Sequence, residues 1–143
     1  MYTAGADVGF NVAGGAGMGI LEAANEVGKL AFGVNTDQAG ENPDLADAIP
    51  TSALKNVGVG VARAIKLDMN GELEFGISES LGLAEGVVGL LDDDHYREMV
   101  PEDVREQVQE LSDRIASGEI EVLTSYNMNT QEIDELKAQV ALH

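Results

Sequence analysis

The residues best placed to do chemistry lie in one stretch, Ala6–Gly19, which reads ADVGFNVAGGAGMG. A short apolar run rich in β-formers passes into a glycine-rich turn and then into a helix-like pattern, the order in which a phosphate-binding strand, loop and helix begins. The glycine spacing fits neither common version. A dinucleotide loop needs glycines at first, third and sixth positions, whereas Gly15, Gly17 and Gly19 step by two and are followed by Ile20 and Glu22. A Walker loop closes on Lys and then Ser or Thr, and neither follows here.

Other reactive groups are sparse. With no Cys in the chain, disulfides, thiolate metal sites and cysteine nucleophiles are excluded. No Ser, His and Asp constellation, zinc spacing or carboxylate pair stands in a setting that argues for catalysis, so no enzymatic activity, cofactor or metal is expected. The run DDDH at Asp92–His95 has no second ligand cluster and reads as a solvated loop, and His143 is terminal. Taken alone, Asp37 reads as a turn or cap residue and Phe10 as a core phenylalanine.

Composition narrows the partners. The 143 residues suit one ordinary domain, and 44% hydrophobic content can supply a core. Against 26 acidic residues stand only 8 basic ones, for a net charge of −18, which repels nucleic acid and anionic membranes. The acids are spread along the chain, as on a heavily hydrated surface suited to high salt, where screening relieves self-repulsion; an ordinary acidic protein is the alternative. The sequence has no run of eighteen apolar residues, and its start lacks the blocks of a signal peptide.

The elements that would position these residues follow from pattern. Ala6–Ala13 reads as a buried strand, Met18–Val27 as a helix with Ile20, Leu21, Ala24 and Val27 on one face, and Leu30–Val34 as a second strand. Strand, helix, strand implies a parallel crossover, with ligands expected at the carboxyl ends of the strands, around Phe10–Gly15 and Val34–Gln38. Further along, Ala48–Thr51 reads as extended and Ser52–Met69 as a helix closed by Asn70–Gly71, with Glu72–Leu91 extended again. A helix opening at Pro101 and stopping at Gly118, and a last one over Thr130–Leu142, complete the chain. No internal repeat is evident.

Five blocks in order then carry a resemblance: GADVGFNVAGGAGMGILEAANEVG, AFGVNTDQ, TSALKNVGVGVARAI, LGLAEGVVGL and VPEDVREQVQELSDRIASGEIEV. Over about Gly5–Val122 the chain resembles the C-terminal half of the basic membrane protein family, the surface lipoproteins that serve as substrate-binding components of nucleoside ABC transporters. The resemblance implies an α/β chain forming part of a type 1 periplasmic-binding-protein fold, a parallel three-layer sheet, with a purine nucleoside or related small ligand clamped between two lobes. The family's N-terminal lobe would precede Met1, and its function would be non-catalytic. Residues 1–50 would belong to the C-terminal lobe, 51–122 to hinge-crossing and N-lobe-associated elements, and 123–143 to a helical extension. An ABC permease, and a second chain or the missing lobe, are the implied partners. The implied location is the cell surface, anchored to the membrane on its extracellular face; the chain shows no export signal or lipidated Cys.

The implied ligand set is Phe10, Asn11, Gly14, Gly15, Gly33, Asp37 and Gln38. Phe10 matches the aromatic that stacks on the base, a contact worth about 0.5–1.5 kcal/mol beyond buried area. Asn11 would offer its amide to a base edge. Gly14 and Gly15 would let an oxygen-rich ligand approach backbone amides at the helix start. Gly33 matches a backbone contact, and Asp37–Gln38 the family's DQ at the second strand end. Two positions depart: Gly58 stands where the family usually has an acid, and Ala84 where it usually has Lys. Losing both removes charge-assisted hydrogen bonds to the sugar of about 1.5–3 kcal/mol each. The alternatives are a chain that has lost ligand binding and acts as an interaction module, and a Rossmann-like nucleotide-binding protein in which Asp37 would meet a ribose.

Overall fold

The computed structural model describes residues 1–140, so Leu142 and His143 lie outside the described residues. Four strands form one sheet in the order β1 (Val8–Phe10), β2 (Leu30–Asn35), β3 (Ser52–Lys55) and β4 (Val88–Leu90). β1, β2 and β3 run parallel, with Phe10 opposite Phe32 and Gly33 opposite Ser52, and β4 joins antiparallel with Leu90 opposite Ala53. The expected crossover is present: helix α1 (Met18–Glu26) connects β1 to β2, and Gly28 ends it in the left-handed region at φ 64.

The core lies between α1 and one face of the sheet. Leu21 and Ala24 of α1 meet Ala31 of β2 and, beyond it, Ala39, Ala48 and Ile49. Ala24 and Ala31 at the contact bring helix and sheet close. Ala39 sits in the short helix α2 (Gln38–Glu41), and Ala48 closes a 3-10 segment, Pro43–Ala48. Four helices follow: α3 (Val57–Asn70), α4 (Asp94–Met99), α5 (Glu102–Ala116) and α6 (Thr130–Val140).

Several expectations change in the fold. Ala6–Ala13 is no buried strand: β1 keeps three residues at the sheet's edge, Val8 and Phe10 lie exposed, and the Val12 N–H turns back onto the Phe10 carbonyl. The extended segment expected at Ala48–Thr51 falls instead at Ser52–Lys55, and the helix begins five residues later than Ser52, at Val57. Pairing on both flanks, with β2 and β4, overrides the helical reading of Ser52–Lys55. Of Glu72–Leu91 only Val88–Leu90 is a strand, because the Glu85 carboxylate accepts the Gly82 N–H at 2.7 Å and curls that segment into a turn. Asp92–His95 is not a solvated loop. Asp93 caps α4 through the Tyr96 N–H at 2.8 Å, Asp92 pairs with Arg97 at 2.9 Å, and His95 Nε2 lies 3.1 Å from the Ile49 carbonyl.

Candidate functional site

Parallel pairing places Phe10, the last residue of β1, and Asn35, the last of β2, at the same end of the sheet. Asp37 and Gln38 follow Asn35 at once. Asn35 takes φ 70, the one non-glycine residue with positive φ among those described. Asparagine tolerates that region better than most residues, and it lets the chain reverse sharply from strand into α2.

The seven predicted residues divide into two groups on opposite faces of this sheet end. Phe10 and Gly14 line a groove of about 1020 Å³ together with Val34, Lys55 and Tyr126. The Phe10 side chain is largely free, the residue being 56% exposed. Gly14, at φ 55, and Gly15 have no heavy atom near the position of a β-carbon, so the backbone of the glycine turn stands open. Lys55 is the charged residue of the groove wall, whose lining is otherwise predominantly apolar.

Asn11, Gly33 and Gln38 lie on the other face, in a hydrogen-bonded cluster. Asn11 is fully buried and donates through Nδ2 to Gln38 Oε1 at 3.2 Å. The same oxygen accepts the Val34 N–H at 2.9 Å, and the Gln38 N–H donates to Ser52 Oγ at 3.2 Å. Gly33 must be glycine here, because a β-carbon would run into the Ser52 hydroxyl. Gly17 is similarly constrained, since a β-carbon there would coincide with Asn11 Oδ1, a buried acceptor with no hydrogen-bond partner. Asp37 accepts the Gly40 N–H at 2.9 Å and caps α2. Its carboxylate is thereby engaged locally.

Three contributors escaped sequence reasoning. Ser52 and Lys55 were hidden inside an expected helix, and Tyr126 in a polar segment with no periodic signal. Among the described residues no group of three or more His, Cys, Asp or Glu is placed to hold a metal ion. At the turn beside the groove, backbone N–H groups of Gly82 and Glu85 hold the Glu85 carboxyl below its ordinary range, with Arg63 adding to the effect.

A family model described as ABC transporter substrate-binding protein PnrA-like matches residues 1–125. Basic membrane protein A1 of Borrelia garinii subsp. bavariensis is 33% identical over 136 residues, 92% of this chain and 38% of that protein. A CD4+ T-cell-stimulating antigen of Listeria monocytogenes is 29% identical over 85% of this chain and 37% of its own length. Among solved structures, a solute-binding protein of an ABC transporter system from Aeropyrum pernix superposes with a TM-score of 0.69 at 30% identity, over 96% of this chain and 46% of that one. A transcriptional activator of the comK gene from Bacillus halodurans gives 0.68 at 26% identity, over 80% and 38%. The chain thus spans less than half the length of these relatives. Its fold is part of a periplasmic-binding-protein fold, and the chain belongs to the PnrA-like family of ABC transporter substrate-binding proteins.

Proposed function

We propose that this chain supplies one wall of a non-catalytic solute-binding cleft and that Phe10 is its ligand-facing aromatic. The observation that carries the reading is the ring of Phe10, held at a strand's carboxyl end, exposed, and facing an apolar groove beside the open glycine turn. Ligand pockets combine such apolar walls with a few polar groups. Here the polar groups are the backbone at Gly14 and Gly15 and the Lys55 ammonium. A flat, hydroxyl-bearing molecule of the purine nucleoside class suits them. Asn11, Gly33, Asp37 and Gln38 shape the two strand-end loops from behind.

Delivery to an ABC permease at the membrane surface is the role that follows for the assembled protein. Residues 1–50 supply β1, β2 and the glycine turn to the ligand-facing lobe. Because β3 and β4 pair in the same sheet as β1 and β2, this lobe extends past residue 50 to take in both strands, and 123–143 contribute Tyr126 to the groove.

Gly58 and Ala84 favour a second reading, an interaction module without sugar recognition. Both are exposed, Gly58 in the first turn of α3 and Ala84 in the Gly82–Gly86 turn, and neither supplies a charge. Calorimetric titration of inosine, guanosine and adenosine into the chain and into a Gly58→Asp/Ala84→Lys variant separates the two. Tighter binding by the double variant locates a ligand site with a weakened sugar end. No binding by either, even with the opposing lobe of the family fold supplied, would support the interaction module.

A further inference from the structure

We infer that the groove takes a ligand in which a flat ring and an anionic group are joined by a sugar-sized spacer, as in a nucleoside 5′-monophosphate, and that Lys55 selects the anion. The inference rests on the reading of this groove as a ligand site and adds the charge of what binds there. Charge distribution carries it. Among the described residues that line the groove none is Asp or Glu, in a chain that holds 26 acids. Lys55 is the one charge on that wall.

The Lys55 ammonium is also without an internal partner. Lys29, Arg63, Arg97 and Arg114 each meet a carboxylate at 2.6–2.9 Å. Lys55 has no such neighbour among the described residues. Gly58, in the first turn of α3, offers no side chain to it and has open space around it. Glu85, in the turn beside the groove, is tied down by the Gly82 N–H at 2.7 Å. An unpaired cation against apolar walls projects its field into the groove, where an anionic group meets it without a competing carboxylate. Lysine serves phosphate as such a point charge.

Pleating puts this charge on the same face as the ring of Phe10. Phe10, Val34, Ala53, Lys55 and Val88 occupy alternate positions of their strands, and all five line the groove. Phe10 is level with Phe32, and Gly33 with Ser52, so Lys55 stands two strands across and four residues further along. Strand geometry makes that about 10 Å across the sheet and about 13 Å along it, or about 16 Å in all. A ring stacked on Phe10 does not reach Lys55 by itself. The four-carbon stem of lysine covers part of the span, and a spacer the size of a sugar covers the rest. The groove, at about 1020 Å³, has room for such a molecule.

The net charge of −18 opposes any anion at long range, but it does not decide the contact. At physiological ionic strength the screening length is about 8 Å, so remote carboxylates are muted while a pair at hydrogen-bonding distance survives.

Titrations of the full chain with inosine, inosine 5′-monophosphate and inorganic phosphate, at physiological ionic strength and followed by backbone amide NMR shifts, test the inference. The monophosphate should bind about fivefold or more tightly than inosine, with shifts at Phe10–Gly15 and at Ala53–Lys55. Lys55→Gln should bring the monophosphate down to the level of inosine and leave inosine unchanged, Lys55→Arg should keep most of the preference, and Phe10→Ala should weaken both ligands. Equal binding of inosine and the monophosphate by the parent, with shifts at Phe10, would overturn the inference and leave the ligand site standing. So would a preference that survives Lys55→Gln, or inorganic phosphate binding as tightly as the monophosphate. No shift at Phe10–Gly15 with any of the three would overturn both the inference and the ligand site itself.

Discussion

Asn11 Nδ2 donates to Gln38 Oε1 at 3.2 Å, joining the end of β1 to the start of α2 across 27 residues of sequence. Because Gln38 Oε1 also takes the Val34 N–H, one amide oxygen fixes the carboxyl ends of two neighbouring strands. The loops that face the groove on the far side are thereby held from behind. Residues that resembled ligand contacts thus support the wall that carries Phe10.

Replacing Gln38 tests that cluster. Gln38→Ala leaves the Val34 N–H and the Asn11 amide without an acceptor, and each unsatisfied buried group costs about 1–3 kcal/mol. Gln38→Glu retains an accepting oxygen for both donors and should lose less. Urea midpoints followed by circular dichroism compare the two; equal losses would contradict the assignment.

Two glycines two residues apart should respond with opposite signs. Gly17→Ala drives a β-carbon into the buried Asn11 side chain and should destabilise the fold by about 1–3 kcal/mol. Gly19 sits in α1 with open space around it and φ outside the left-handed region, so Gly19→Ala should stabilise by about 0.5–1 kcal/mol. Unfolding midpoints of the two variants decide the matter. A shift of the same sign in both would be inconsistent with the packing described.

Tyr96 should impose an alkaline limit. Burial raises its hydroxyl above the ordinary 10.0, the nearby Asp92 charge adds to the rise, and Arg105 opposes it. Folding therefore favours the neutral phenol. The stability this contributes is complete below 10.0 and is lost as pH rises through the folded-state value. Tyr96→Phe should flatten the fall in unfolding free energy above that pH, relative to the parent chain. An identical alkaline slope in both proteins would show that the Tyr96 hydroxyl is not held neutral by the fold.

Salt should raise the melting temperature, since screening relieves repulsion within a chain of net charge −18. Molar KCl is compared with an equal ionic strength of a weakly salting-out salt, which separates screening from strengthened apolar burial. A midpoint that is unmoved by either salt would count against a fold adapted to high ionic strength.

The legible parts of this fold were those written in local pattern. α1 shows its apolar face and closing Gly28, β2 its short apolar run, and α5 its Pro101 start and Gly118 stop. Position within the sheet was not legible. β3 becomes a strand because β2 and β4 flank it, and nothing in Ser52–Lys55 announces neighbours from either side. β1 looks like a buried strand from composition, yet it lies at the edge, where only one neighbour covers it. At the site, periodicity alone would bury Phe10, and resemblance pointed to its exposed ring. The pairing of Asn11 with Gln38 depends on a fold that brings distant loops together, so no local spacing encodes it. Asp37 was read correctly from its type alone as a cap.

The central claim is that Phe10 offers its ring to a small ligand held between this chain and its complement, the opposing lobe of the family fold. Calorimetric titration of inosine into the chain, alone and with the complement, for the parent and for Phe10→Ala, tests it most directly. One wall leaves a ligand's second face in water, so the chain alone should bind in the high-micromolar range or weaker, with the complement tightening binding at least tenfold and Phe10→Ala reversing that gain. Submicromolar binding by the chain alone, or binding with the complement that Phe10→Ala leaves unchanged, would contradict the account.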